Sequence, residues 1–130
     1  MRSVVRQSVV LPAPGERLFE MFVSAELHEA FTGSPVTIDE KPGSPFSAFE
    51  DALSGTMLDT VKPTLVVLSW RSVAFRESDP DSTLILQFSD HDQGGVVDLI
   101  HLDVPDHDFE GVTKGWENHY WTPWRKYLES

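Results

Sequence analysis

Hydrophobic and polar residues alternate through residues 2–11 with the period of two that is typical of a β-strand. Residues 12–15, which contain two prolines and a glycine, end this segment. Apolar residues then crowd positions 18–23 and indicate a short helix. A second helix begins after Ser24, a favourable N-cap residue, and ends at Gly33. The pattern predicts one strand followed by two short helices.

From residue 34 to residue 104 the pattern changes to short β-like segments separated by turns rich in proline and glycine. Strands joined by short turns pair antiparallel, because parallel pairs need long crossover connections. We therefore expect an antiparallel meander. Its strands are predicted at residues 36–41, 46–51, 53–61, 64–75, 82–89 and 96–104.

The last quarter of the chain has the periodicity of one long helix, which begins after Pro105. Its apolar face is predicted to comprise Phe109, Val112, Thr113, Trp116, Tyr120, Pro123, Trp124 and Tyr127. So many aromatic side chains need a large surface to bury against, and the sheet is the one available. Pro123 predicts a bend near His119, because proline removes a helix hydrogen bond. Gly115 predicts either close helix–sheet approach or a gap.

Composition is that of one globular domain, spanning residues 1–130. Of these residues 40% are hydrophobic and 24% are charged. No apolar run approaches the roughly 20 residues that a bilayer span needs, and no signal-peptide pattern is evident at the N-terminus. The absence of cysteine excludes disulfides, thiolate metal sites and a cysteine nucleophile. Together these features lead us to expect a cytoplasmic protein.

The formal net charge is −11 and is spread along the whole chain. Such a surface opposes binding to nucleic acid, whose affinity rests on Lys and Arg neutralising phosphates. It disfavours anionic membrane surfaces for the same reason. A protein partner with a basic face remains compatible, since complementary charge speeds encounter. The alternative is that the acidic surface only maintains solubility.

Four motifs carry a family resemblance. They are Ala30-Phe31-Thr32-Gly33, Val67-Leu68-Ser69-Trp70-Arg71-Ser72, His101 with Val104-Pro105, and Gly115-Trp116 with Tyr120-Trp121-Thr122-Pro123. Together with the element order, they resemble the helix-grip (START-like, SRPBCC) superfamily. Within it, they are similar to the family named for the activator of the heat-shock-ninety chaperone ATPase. The resemblance implies an α+β fold, in which a curved antiparallel sheet of about six strands surrounds a long C-terminal helix, with two short helices after the first strand.

The chain departs from the family pattern at three places. Pro45 stands where the family usually has glycine-rich sequence, and it predicts an edge or a bulge. Residues 50–52 replace an Asp-Gly turn, which puts that hairpin's geometry in question. Asp103 occupies the position of a common glycine.

Family members share a cavity between the sheet and the long helix, and the resemblance implies one here. Its predicted lining residues are Phe31, Phe46, Trp70, Leu86, Phe88, His101, Trp116, Tyr120 and Trp124. An aromatic pocket of this kind suits an apolar or aromatic small molecule. The alternative is that these side chains simply fill the core. His101 shares a strand face with Val97 and Leu99 and is predicted to point inward, with Tyr120 or a carboxylate as its partner.

Other polar residues give weaker signals. Asp90, His91 and Asp92 are expected to form a solvated turn, so no metal site is predicted. His28 is expected to face solvent or the cavity rim. No nucleophile elbow, phosphate loop or dinucleotide fingerprint occurs, and no cofactor is predicted.

Three functions remain open from the sequence. The first is non-enzymatic binding of a hydrophobic small molecule in the cavity. The second is a co-chaperone-type interaction module that stimulates a heat-shock-ninety ATPase. The third, least supported, is a cyclase- or aromatase-like enzyme. Ile100 and Leu102 are predicted on the outer face of the sheet, and apolar side chains there favour a homodimer.

Overall fold

The computed structural model describes residues 2–130 of the chain. The first strand and the two short helices are β1 (Arg2–Leu11), α1 (Gly15–Val23) and α2 (Ala25–Thr32). The remaining strands are β2 (Val36–Thr37), β3 (Pro45–Ala48), β4 (Leu53–Val61), β5 (Leu65–Ser72), β6 (Ser82–His91) and β7 (Gly94–Pro105). After a short 3₁₀ turn, the C-terminal helix consists of α3 (Phe109–Trp116), a π-helical turn (Glu117–Trp121) and α4 (Thr122–Glu129).

The described strands form one antiparallel sheet in the order β1-β7-β6-β5-β4-β3-β2. Consecutive strands are neighbours from β2 to β7, and β1 joins the sheet beside β7. The predicted helix-grip fold is therefore confirmed, with seven strands where about six were expected. The predicted strand 36–41 is wrong in length, because only Val36 and Thr37 pair with β3.

Side chains that alternate along the central strands build the core against the helices. The buried side chains of β5, β6 and β7 include Val66, Leu68, Trp70, Leu84, Leu86, Phe88, Val97, Leu99 and His101. The intervening residues lie on the opposite face of the sheet, where Ile100 and Leu102 are partly buried. One face of the sheet thus receives the helices, as the period of two predicts.

The C-terminal helix contains a π-helical turn just before Pro123, in the region where a bend was predicted. Thr122 donates its backbone N–H to the carbonyl of Glu117, five residues back. The wider turn inserts an extra residue and rotates everything after it relative to a regular helix. As a result Trp121 is buried, although it was not predicted on the apolar face. Tyr127, which was predicted there, is 44% exposed.

Two of the three departures from the family pattern coincide with unusual backbone. Phe49, Glu50 and Asp51, in the β3–β4 connection, have φ values of 53°, 56° and 67°, and Asp103 in β7 has φ 60°. Non-glycine residues adopt this left-handed region at a cost of roughly 1–2 kcal/mol each. The hairpin thus keeps a geometry that favours glycine without having the glycine.

Within residues 2–130, none of the helices has both the length and the apolar character that crossing a bilayer requires.

Candidate functional site

A cavity of about 380 Å³ lies between the first half of the C-terminal helix and the sheet. This volume is at the lower end of the range for small-molecule pockets, about 300–1,000 Å³. The lining residues are Phe49, Ala52, Leu53, Trp70, Ser72, Ala74, Asp108, Gly111, Val112, Gly115, Trp116, His119 and Tyr120. Ala74 and His119 are exposed, so the cavity opens to solvent at this rim.

Gly115 forms the helical wall of the cavity and leaves space there. A β-carbon built on Gly115 would meet no atom nearer than Cδ2 of His119, at 3.9 Å. Close packing against the sheet therefore does not require glycine at this position, and of the two sequence-based alternatives the gap is confirmed. Glycine inside a helix costs roughly 1 kcal/mol relative to alanine. The helix is therefore less stable than it would be with alanine at this residue of the cavity lining.

Four aromatic rings form a continuous wall of the cavity, which we call the aromatic wall: Phe49, Tyr120, Trp116 and Trp70. The ring centroids of Phe49 and Tyr120 are 5.8 Å apart, and those of Tyr120 and Trp116 are 4.7 Å apart. The Trp116 and Trp70 rings lie 6.3 Å apart. Phe49 reaches this position from the left-handed β3–β4 connection, so the unusual backbone contributes directly to the site.

Trp70 carries a buried hydrogen-bond donor that has no acceptor. Its indole Nε1 is one of two buried side-chain polar atoms without a partner among the described residues; the other is Oγ1 of Thr113. The other three tryptophans do have partners: Trp116 donates to His101, Trp121 to Gln7, and Trp124 to the sulfur of Met21. An unsatisfied buried donor costs roughly 1–3 kcal/mol, and this one belongs to a residue of the aromatic wall.

Asp108 is the carboxylate on the cavity lining. Partial burial raises the pKa of its carboxyl group, and the neighbouring His107 opposes that rise. His107 itself lies 2.8 Å from Oδ2 of Asp79. None of the lining residues is Lys or Arg. The charge that the cavity presents is therefore predominantly negative.

His101 is completely buried behind Trp116, and both of its ring nitrogens are engaged. Nδ1 accepts the indole N–H of Trp116 at 3.2 Å, so the ring proton must lie on Nε2. Nε2 then donates to Oγ of Ser82 at 2.8 Å, and Ser82 donates to the carbonyl of Trp70 at 2.6 Å. Desolvation lowers the pKa of His101 to about 3. The predicted inward direction of His101 is correct, whereas its partners are Ser82 and Trp116 instead of Tyr120 or a carboxylate.

His28 is also completely buried, so the prediction that it faces solvent or the cavity rim is wrong. Its Nδ1 lies 2.7 Å from the carbonyl of Phe22, which can only accept, so Nδ1 carries the proton. Nε2 accepts the hydroxyl of Tyr120 at 2.9 Å. Desolvation, partly offset by the bond to Phe22, lowers the pKa of His28 to about 4. Its position three residues before Phe31 places both on one helix face, a signal that the sequence contained.

Of the nine predicted lining residues, three lie on the cavity: Trp70, Trp116 and Tyr120. The other six lie in the packed core: Phe31, Phe46, Leu86, Phe88, His101 and Trp124. Phe31, for example, stacks on Trp124 with centroids 4.3 Å apart. The sequence did not identify Phe49 or Asp108 as part of the site, because they were assigned to a strand and to a helix start.

Asp90 has a structural contact in the β6–β7 hairpin. Its Oδ1 accepts the backbone N–H of Gly15 at the start of α1, at 2.9 Å. Within residues 2–130, no group of three or more His, Asp or Glu side chains is arranged to hold a metal ion.

Comparisons with known proteins identify the family. The family model described as Activator of Hsp90 ATPase homolog 1-like protein matches residues 12–129. The human activator of 90 kDa heat shock protein ATPase homolog 1 is 28% identical over 105 residues, which are 81% of this chain and 31% of the human protein. This chain therefore spans about a third of that relative's length.

Two solved structures share the fold. An HSP90 activator from Plasmodium falciparum superposes with a TM-score of 0.77 at 24% identity, covering 94% of this chain and 91% of that one. A protein from Mesorhizobium loti superposes with a TM-score of 0.82 at 15% identity, covering 98% and 97%. The family model covers most of the sequence, so the chain belongs to the family of Activator of Hsp90 ATPase homolog 1-like proteins.

Proposed function

We propose that this chain is a non-enzymatic binding domain for a small molecule with an apolar or aromatic body, held in the cavity between the sheet and the C-terminal helix. The observation that carries the proposal is the cavity of about 380 Å³ between α3 and the sheet, which Gly115 lines. Elsewhere the same sheet–helix interface is filled by large side chains, including Trp124 at 0% exposure. Because the interface is closely packed at Trp124, the fold does not require a cavity at the other end of the helix.

The chemistry of the lining supports binding of an aromatic body. The aromatic wall offers ring contacts, which contribute about 0.5–1.5 kcal/mol per pair beyond simple area burial. The Nε1 donor of Trp70 lacks an acceptor, and a ligand acceptor that reached it would remove the cost of leaving it unpaired. Few polar groups and many apolar ones are the usual composition of small-molecule pockets.

The buried histidines favour binding over acid–base catalysis. An acid–base residue must reach the proton that it transfers. Both nitrogens of His101 are occupied by Trp116 and Ser82, and both nitrogens of His28 are occupied by Phe22 and Tyr120. Their pKa values of about 3 and about 4 keep both imidazoles neutral near pH 7. Neither histidine is available to a ligand in this arrangement.

A substitution at Gly115 tests the proposal. We expect Gly115→Leu to fill the cavity and weaken the binding of neutral aromatic probes, naphthalene and tert-butylbenzene, by at least about tenfold. Gly115→Ala is the matched control and should bind almost as the unsubstituted chain does, because its β-carbon fits. Quenching of tryptophan fluorescence reports occupancy, and calorimetry checks the stoichiometry. Equal binding by the Leu variant and the unsubstituted chain would refute the cavity as the binding site.

A second candidate function is interaction with a 90 kDa heat-shock chaperone. The family membership and the name of the human relative favour it, although this chain spans only 31% of that protein. The net charge of −11 suits a partner with a basic face. In this function the acidic exterior, and not the cavity, makes the contact.

Salt dependence tests the chaperone interaction. We expect the chain to co-purify with such a chaperone and to stimulate its ATPase at low ionic strength. Both effects should weaken as salt shortens the screening length from about 30 Å at 0.01 M to about 8 Å at 0.15 M. The Gly115→Leu variant should retain both effects, which separates this function from cavity binding. Absence of co-purification and of stimulation at low salt would exclude it.

A further inference from the structure

We infer that the cavity selects an organic cation, an amine or a quaternary ammonium group carried on a small apolar body. This inference rests on the proposed small-molecule function and specifies the chemical class of its ligand. Two independent features of the lining support it: the aromatic wall and the carboxylate of Asp108.

The aromatic wall is the first feature. Four of the thirteen lining residues are aromatic, and the centroids of successive rings along the wall lie 5.8, 4.7 and 6.3 Å apart. The π-system of an aromatic ring attracts a cation that lies within about 6 Å of its centroid, most strongly for tryptophan. The attraction grows to about 2 kcal/mol or more where water is excluded. Two tryptophans and two smaller rings thus line this cavity, and aromatic rings of this kind are what proteins use to bind quaternary ammonium groups.

The charge on the lining is the second feature. Asp108 contributes a carboxylate, and no Lys or Arg balances it on the lining. The nearest arginine along β5, Arg71, is engaged elsewhere: it bonds Asp81 at 3.2 Å and the carbonyls of Asp79 and Arg76. Lys114 is exposed and does not line the cavity. An anionic ligand would therefore meet an uncompensated negative charge.

Two histidines are the other residues here that can carry a positive charge: His107, next to Asp108 in sequence, and His119, on the cavity lining. His107 is the residue before Asp108, and its Nε2 lies 2.8 Å from Oδ2 of Asp79. His119 lies on the exposed rim, where its ring contacts Phe49 at 5.4 Å.

An isosteric pair of probes tests the inference. Phenyltrimethylammonium and tert-butylbenzene have the same shape and differ in one positive charge, and benzoate supplies a negative charge. Calorimetric titration at physiological ionic strength should show the cation binding about ten times more tightly than its neutral isostere. Benzoate should bind at least about ten times more weakly than the cation.

Variants of Asp108 isolate its contribution. Asp108→Asn should reduce the preference for the cation over tert-butylbenzene by about fivefold and leave the neutral probe unchanged. Asp108→Glu keeps the charge and should retain the preference. Asp92→Asn, in the β6–β7 hairpin, removes a charge away from the cavity and should change the preference by less than about twofold. Thermal unfolding of each variant shows that it remains folded.

The outcomes separate the inference from the proposed function. Suppose that tert-butylbenzene binds to the unsubstituted chain and binds more weakly to Gly115→Leu, but phenyltrimethylammonium binds no more tightly than tert-butylbenzene. The inference is then refuted and the proposed binding function stands. An unchanged preference in Asp108→Asn also refutes the inference. If none of the three probes binds, the proposed function fails together with it.

Discussion

The two halves of the C-terminal helix have equal length and differ in what they pack against. Both α3 and α4 contain eight residues. On α4, Trp124 is fully buried and stacks on Phe31 of α2 at 4.3 Å. On α3, two glycines line the cavity, and a β-carbon added to Gly115 would meet no atom closer than 3.9 Å. One helix therefore closes the core at one end and leaves it open at the other.

This difference shows how a small domain can keep a cavity. Two buried histidines outside the C-terminal helix hold residues of the aromatic wall: His28 of α2 bonds Tyr120, and His101 of β7 bonds Trp116. Close packing of α4 on α2 stabilises the helix as a whole. The α3 half can then tolerate the cost of glycine, and the facing strand β5 the cost of the unpaired indole donor of Trp70.

The largest expected effect is on the filled side. Trp124→Ala should lower the free energy of unfolding by about 3–5 kcal/mol, because it removes a fully buried ring and leaves a cavity. Urea unfolding followed by circular dichroism measures this change. Tyr127→Ala, on the same helix but 44% exposed, is the control and should change stability by less than about 0.5 kcal/mol. A loss below about 1 kcal/mol for Trp124→Ala would mean that the two halves are not packed differently.

The next effect is the pH dependence of the two histidines. Their folded-state pKa values, about 4 for His28 and about 3 for His101, lie below the unfolded value of 6.5. Below pH 6.5 the unfolded chain binds protons that the folded chain does not. The free energy of unfolding should therefore fall as pH decreases from 6.5 toward 4 and 3, respectively. At pH 5 the loss should be about 2 kcal/mol for each histidine.

Single variants assign this pH dependence to His28 or to His101. Urea unfolding at pH 7.5 and pH 5 should show a smaller pH effect in His28→Gln and in His101→Gln than in the unsubstituted chain. If water from the cavity reaches His101 behind Trp116, the pH-dependent loss of stability that His101 contributes will be clearly smaller than the loss that His28 contributes. That result would place His101 of β7 on the open side of the core.

The smallest effect compares the two glycines of α3. Gly115→Ala should raise the free energy of unfolding by about 1 kcal/mol, because the β-carbon fits and the helix gains propensity. At Gly111 a β-carbon would lie 2.5 Å from Oδ1 of Asp108, so Gly111→Ala should gain less or lose stability. Thermal unfolding of both variants measures the difference. A loss of stability in Gly115→Ala would mean that the space beside it is not free.

Most of the fold was predictable from the sequence because it depends on periodicity. The alternation in β5, β6 and β7 and the motifs around Trp70 and Trp116 predicted which side chains point inward. The glycine at position 115 also indicated a gap as one of two alternatives. These features are local, and each depends on a residue type whose preference is strong.

The details of the site were less predictable because they depend on irregular backbone. Phe49 reaches the cavity through three consecutive left-handed residues, which a strand pattern over 46–51 does not indicate. Trp121 is buried because of the π-helical turn, and a fixed angle of about 100° per residue cannot anticipate an inserted residue. The burial of His28 depends on Tyr120, which lies 92 positions away in the sequence.

The π-helical turn between the two halves also changes the direction in which the side chains of α4 point relative to those of α3. The wide turn places Tyr120 and Trp121 next to each other in the core, where they are 3% and 7% exposed. The orientation of each half is then held by its own contacts: α3 by the cavity wall, and α4 by α2. A substitution at Gly115 that changes the volume of the cavity should therefore leave the packing of Trp124 on Phe31 unchanged.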